Sequence, residues 1–183
     1  MESTRHELLR KATATVRRAG SAALNFRDLG HSVGVKSSTV HYYFPTKSDL
    51  LHEAATEYTA AMVAALKDGA RASKSFRQDM LVLVDVFAAA QGQELSCLCG
   101  MLATEAELLD SAVTTAVNAF FSTLQRWVVD RASARGVEAP GGLPPATFAR
   151  LLVSLLEGAL LLSRLPAHKA SVSAARDWVR TAT

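Results

Sequence analysis

The sequence predicts an all-α chain: a three-helix N-terminal domain over residues 1–47, then a longer helical domain over 48–183. Three observations carry this. Apolar residues recur at helical spacing along most of the chain, whereas strand-like alternation is hard to find. The five prolines are scarce and clustered, with Ala and Leu abundant between them. Of the 183 residues, 49% are apolar and 7% aromatic, which suits one or two packed cores without repeats or disorder.

The elements follow in order. Thr4 to about Arg18 places Leu8, Leu9, Ala12 and Val16 at helical spacing, and Gly20 stops that helix. Asn25 is a good N-cap for a short second helix reaching about Val33, where Gly34 supplies the positive φ of a tight turn. A third helix runs from Lys36 to about Tyr43 and is stopped by Pro45. Thr46 opens T-x-x-D, a near capping box, and a long helix through Leu50, Leu51, Ala54, Tyr58, Met62 and Leu66 to about Arg71. Later helices are expected over 76–90, 97–109, 112–135, 145–165 and 171–181, with breaks at QGQE, at residues 107–110, at GVEAPGGLPP and at LPAH.

Charge is unevenly placed. Residues 1–52 hold eight Lys/Arg against four Asp/Glu, a balance of +4, and residues 53–183 a balance of −1. Four of the five histidines (His6, His31, His41, His52) also lie in the basic segment, whose charge suits a polyanionic partner. No run of about 18 uncharged apolar residues appears; LLVSLLEGALLL is shorter and carries Glu157. The first residues lack a secretory-signal pattern and two cysteines do not make a disulfide scaffold, so a soluble cytoplasmic protein without membrane contact is expected.

Two short helices joined by a Gly-containing turn and buttressed by an earlier helix form the arrangement that lets a second helix enter the major groove. Leu29, Val33, Val35, Val40 and Phe44 can close a small core beneath the pair, leaving Ser37, Ser38, Thr39, His41 and Tyr42 outside. Short hydroxyls keep such a helix near the bases, while His41 and Tyr42 reach base edges or thymine methyls. Lys47, at the first turn of the fourth helix, can meet a phosphate together with free backbone N–H groups. Tyr43 can donate to another phosphate, and Arg27 can reach a guanine edge or the backbone.

The stretch VGVKSSTVHYYFPTKSDLL resembles the DNA-binding signature of the TetR family of bacterial transcriptional regulators, most strongly from Phe26 to Leu51. By that resemblance Arg27, Lys36, Ser37, Ser38, Thr39, His41, Tyr42, Tyr43 and Lys47 fall where members contact operator DNA. Val16 and Ser21 stand where aromatics are usual, and Leu24 where a small hydroxyl residue is usual. The resemblance implies a C-terminal helical domain for ligand binding and dimerisation, with a four-helix dimer bundle built from the last two helices of each subunit. Phe148, Leu151, Leu152, Leu155, Leu156, Ala159 and Leu162, with Val172, Ala175, Trp178 and Val179, provide apolar surface for it or for an internal core.

The resemblance also implies a small-molecule effector held by the middle helices, in a cavity whose candidate wall is Tyr58, Met62, Phe87, Cys97, Met101, Glu105, Phe120, Leu124 and Trp127. Apolar groups at this spacing equally form ordinary core. Glu105, if buried, requires a polar partner. SCLCGMLATEAELL resembles the cysteine-bearing helix start of the electrophile-sensing relatives of the N-ethylmaleimide-responsive repressors, with Cys97 at the sensing position. Ser96 can cap that helix, its first turn favouring a thiolate at Cys97 or Cys99; inert burial is the alternative. No metal site or cofactor is expected. The expected function is a dimeric, effector-released repressor on a palindromic operator. The rivals are a helical enzyme, for which no G-x-S-x-G, phosphate loop or metal-ligand helix is present, and an interaction module without DNA affinity.

Overall fold

The computed structural model describes residues 3–183, and among them nine α-helices and no strand occur. They are α1 (Thr4–Ala19), α2 (Phe26–Val33), α3 (Ser37–Tyr43), α4 (Lys47–Gly69), α5 (Phe76–Gly92), α6 (Leu98–Ala103), α7 (Ser111–Arg135), α8 (Pro145–Leu162) and α9 (Ser171–Ala182). Five short 3-10 turns join them. The chain forms two compact units. One runs to Thr59 and takes in Leu98–Phe120; the other comprises Ala60–Cys97 and Phe121–Thr183. The long helices α4 and α7 each contribute to both units.

In the first unit, Leu8, Leu9, Ala12 and Val16 of α1 are buried together with Leu29, Val40, Phe44, Leu50 and Leu51. α1 packs on α2, α3 and α6. Its N-cap is Ser3, which accepts from His6 N. Arg5 pairs with Glu53, an α1-to-α4 contact, and its guanidinium lies 5.2 Å from the Phe44 ring centre.

In the second unit α5, α8 and α9 pack on one another. Met80, Leu83, Val84 and Phe87 of α5 meet Phe148, Leu152 and Leu156 of α8 and Val172, Ala175 and Val179 of α9 in the core. Phe148 connects the layers, its ring centre 5.9 Å from that of Phe76 and 6.3 Å from that of Trp178. Asp79, fully buried, accepts from Arg131 Nη2 and Arg135 Nε, each at 2.9 Å. Burial pushes its carboxyl up, but the donors on Arg135, Arg131 and Ser73 outweigh that and hold it below its ordinary value.

The sixth helix is shorter than its apolar pattern suggests. Instead of running to 109 it ends at Ala103 and continues as a 3-10 turn over Ala106–Leu108. Glu105 N donates to Leu102 O at 3.0 Å and Leu108 N to Glu105 O at 2.8 Å, i to i+3 bonds that replace the α-helical pattern there. α8 is the one described helix long and apolar enough by composition to cross a membrane, but it carries Arg150 and Glu157 and packs against α5 and α9.

Candidate nucleic-acid interface

Asn25 starts α2 by accepting from Asp28 N at 2.8 Å, and the helix ends at Gly34, whose φ of 78° and ψ of 25° are left-handed. Val35 N then donates to Gly30 O at 2.9 Å, turning the chain sharply into α3. α2 and α3 approach closely at Gly30, where a Cβ would stand 2.8 Å from Val35 O and 3.3 Å from Val40 Cγ2. Leu29, Val40 and Phe44 are buried beneath the pair, while Val33 and Val35 are half-buried at its edge.

This packing leaves the opposite face of α3 in solvent. Ser37, Ser38, His41 and Tyr42 are exposed, Tyr42 at 81%, with Lys36 exposed at the N-cap and Arg27 exposed in the first turn of α2. Thr39, Tyr43 and Lys47 are half-buried. Tyr42 and Tyr43 meet edge to face at 5.2 Å. The His41 ring lies against Phe26 at 4.7 Å, with its Nδ1 3.3 Å from Pro45 O.

The start of α4 is closed by a reciprocal capping box. Asp49 N donates to Thr46 Oγ1 at 3.1 Å and Thr46 N donates to an Asp49 carboxylate oxygen at 3.0 Å. Lys47 stands at this helix N-terminus, beside α3 in sequence. All nine residues expected to meet DNA therefore sit on one short stretch of α2, α3 and the start of α4, within the basic segment.

The nine residues expected around an effector divide between the units. Tyr58, Met101, Glu105 and Phe120 belong to the first; Met62, Phe87, Cys97, Leu124 and Trp127 belong to the second. Met62, Phe87, Cys97, Phe120 and Leu124 are buried, and the others half-buried. The Tyr58 ring lies 5.6 Å from Phe120 and carries the Arg17 guanidinium at 5.3 Å. The polar partner that Glu105 requires is Ser21: its carboxylate accepts from Ser21 N at 3.0 Å and from the Ser21 hydroxyl. The serine that departs from the usual aromatic is thus the donor of this contact between the segment after α6 and the turn after α1.

Cys97 lies one residue before α6 and Cys99 within it, both buried and neither in a disulfide. Ser96 accepts from Arg164 Nη1 at 3.2 Å. The Cys97 thiol is hydrogen-bonded to Glu157, whose carboxyl is pushed up to about 7 by burial in spite of that bond, and whose Oε1 is buried without a partner. Sequence reasoning noted Glu157 only as a charge interrupting an apolar run; that interruption was the available signal. A cavity of about 210 Å³ in the first unit is lined by Ser21, Lys47, Ser48, Leu109 and Asp110 among others, and by none of the nine effector candidates. Among the described residues no group of three or more His, Cys, Asp or Glu is placed to hold a metal ion.

Two family models match the chain. Residues 8–54 match the bacterial regulatory proteins of the tetR family, and residues 72–177 match the C-terminal domain of LmrA/YxaF-like transcriptional regulators. No curated protein matches. Among solved structures, a TetR transcriptional regulator from Legionella pneumophila shares 24% identity over 99% of this chain and 97% of its own, with a TM-score of 0.91. One from Agrobacterium tumefaciens shares 22% identity over 98% and 97%, with a TM-score of 0.89. The reduced form of NemR from E. coli shares 17% over 98% and 97%, with a TM-score of 0.80. These likenesses show the fold, and the two family models, the second spanning more than half of the chain, show that the protein belongs to the TetR family of bacterial transcriptional regulators.

Proposed function

We propose that this ligand-responsive regulator, which is not an enzyme, acts in the cytoplasm as a homodimeric repressor. Residues 1–47 bind a palindromic operator and residues 48–183 bind effector and partner. The observation that carries the reading is the solvent-facing row of Ser37, Ser38, His41 and Tyr42 on α3, flanked by Arg27, Lys36 and Lys47 on the basic segment. Side chains of that length and polarity match base edges, and the flanking cations match phosphates. Footprinting is expected to show protection with two-fold symmetry. The double variant Lys47→Ala, Tyr43→Ala is expected to lose affinity on every sequence alike and to flatten the salt dependence. Binding no stronger than to random DNA at moderate salt defeats the reading.

The dimer is proposed to form through α8 and α9. Phe148, Leu152, Leu156, Ala159, Val172, Ala175 and Val179 are committed to the subunit's own core, which leaves Leu151 (53% exposed), Leu155, Leu162 and Trp178 as the apolar surface for a second copy. A Cβ at Gly158 would meet nothing within 4 Å, so a neighbouring helix can approach closely there. A dimer sets its two reading helices about 34 Å apart, and an effector that favours another spacing lowers operator affinity. Leu151→Glu with Leu155→Glu is expected to give monomers by sedimentation and to abolish specific binding; an unchanged dimer assigns the interface elsewhere.

Buried Cys97, with its thiol on Glu157, supports a non-covalent effector, because a reagent in solution does not reach a thiol packed inside the fold. Operator binding measured with and without N-ethylmaleimide separates the two routes. Release that disappears in Cys97→Ser assigns a thiol-reactive effector instead.

A further inference from the structure

We infer that His41 reads the exocyclic amino group of one operator base pair, adenine N6 or cytosine N4, by accepting a hydrogen bond at Nε2. The inference rests on α3 being the helix that enters the groove, and adds which atom of one side chain does what there.

The His41 ring is held from two sides. Its Nδ1 lies 3.3 Å from the carbonyl oxygen of Pro45, and its plane rests at 60° to the Phe26 ring with centres 4.7 Å apart. A carbonyl oxygen only accepts, so the hydrogen in that contact belongs to Nδ1. A neutral imidazole has one N–H, which leaves Nε2, at the opposite edge of the ring, with a lone pair and no hydrogen. Free imidazole side chains favour the reverse tautomer, so the Pro45 carbonyl selects the less common one. Phe26, the first residue of α2, limits rotation of the ring.

Every base pair shows one amino group in the major groove, on adenine N6 or cytosine N4; the remaining polar atoms are acceptors, and thymine adds a methyl. A bare Nε2 is attracted only to the amino group and repelled by guanine O6 and N7, thymine O4 and adenine N7. His41 therefore distinguishes where across the groove the amino group lies. An Nε2–H tautomer selects the opposite set of atoms.

Two measurements test this. In a long-range 1H–15N correlation spectrum of the free protein at pH 8, with His41 assigned by comparison with His41→Gln, Nδ1 is expected to carry the hydrogen. An Nε2–H pattern overturns the proposal. Next, the tightest duplex is selected from random DNA, and the base pair whose preference vanishes in His41→Ala is identified. Removing that pair's amino group, with purine for adenine or 2-pyrimidinone for cytosine, is expected to weaken wild-type binding about five- to tenfold more than it weakens His41→Ala. Equal losses overturn the proposal, as does a loss on 7-deazapurine or uracil substitution in its place. Selection of no sequence at all defeats the parent reading and this one together, whereas selective binding with an Nε2–H spectrum defeats this one alone.

Discussion

At Gly20 the backbone adopts φ 83° and ψ 171°, a region open essentially only to glycine, and a Cβ there would lie 2.6 Å from Glu105 Oε1. Gly34 is also left-handed, yet nothing lies within 4 Å of its missing Cβ. Gly34→Ala is therefore expected to cost about 1–2 kcal/mol from strain alone. Gly20→Ala adds a clash with the carboxylate that holds Ser21, and is expected to cost more in urea unfolding; equal costs would mean that the carboxylate moves aside freely. Glu157 makes a second residue-level prediction. Its carboxyl is raised from 4.5 to about 7, so the folded state holds a proton that the unfolded state releases. Stability from this group is present at acidic pH and is lost as pH rises through about 7. Glu157→Gln is expected to stabilise the protein by up to about 3 kcal/mol at pH 8, with the gain shrinking toward pH 5. A variant less stable than the parent at both pH values would show that the charged form is the one the fold favours.

Among the elements, α4 begins where α3 has just ended, and its first turn carries Lys47, so the capping box of Thr46 and Asp49 places the cation proposed to meet a phosphate as well as starting a helix. Thr46→Ala removes the acceptor for Asp49 N and is expected to cost about 0.5–2 kcal/mol. It is also expected to weaken operator binding; a variant that loses stability but binds DNA as before would separate the cap from the placement of Lys47. The α2–α3 pair was legible from sequence because its determinants are local: Asn25 caps, Gly34 turns and Pro45 stops within a few residues of one another. The end of α6 was not, because an apolar pattern running to Leu109 says nothing about Ser21 engaging Glu105 from 84 residues away.

For the molecule as a whole, a buried carboxylate ties α5 to α7 in the second unit. Asp79 of α5 is fully buried and accepts from two arginines of α7, while Arg135 Nη2 also donates to Ser73 O at 2.9 Å. Removing the anion alone strands two guanidinium groups, so Asp79→Ala is expected to cost about 3–5 kcal/mol by thermal or urea unfolding. Its depressed pKa gives the opposite sign to that of Glu157: stability is present above the ordinary carboxyl value and lost as pH falls below it. Acid unfolding that starts at a higher pH in the parent than in Asp79→Asn would contradict that sign.

What the amino-acid sequence determined by itself was whatever acts over a turn or two: nine helices, the caps at Asn25, Gly34 and Thr46, an all-α fold, a basic first quarter, and a helix-turn-helix whose exposed residues could be named. Hydrophobic period, capping residues and charge are written locally, so they survive being read one window at a time. Only the tertiary structure decided which apolar residues of α8 and α9 stay exposed, since Leu151 and Leu152 are alike in sequence and differ only in what packs against them. It likewise joined Glu105 to Ser21, Glu157 to Cys97 and Asp79 to two arginines. Partners dozens of residues apart leave no periodic trace, because burial and pairing of a carboxylate are properties of the neighbours that folding brings to it.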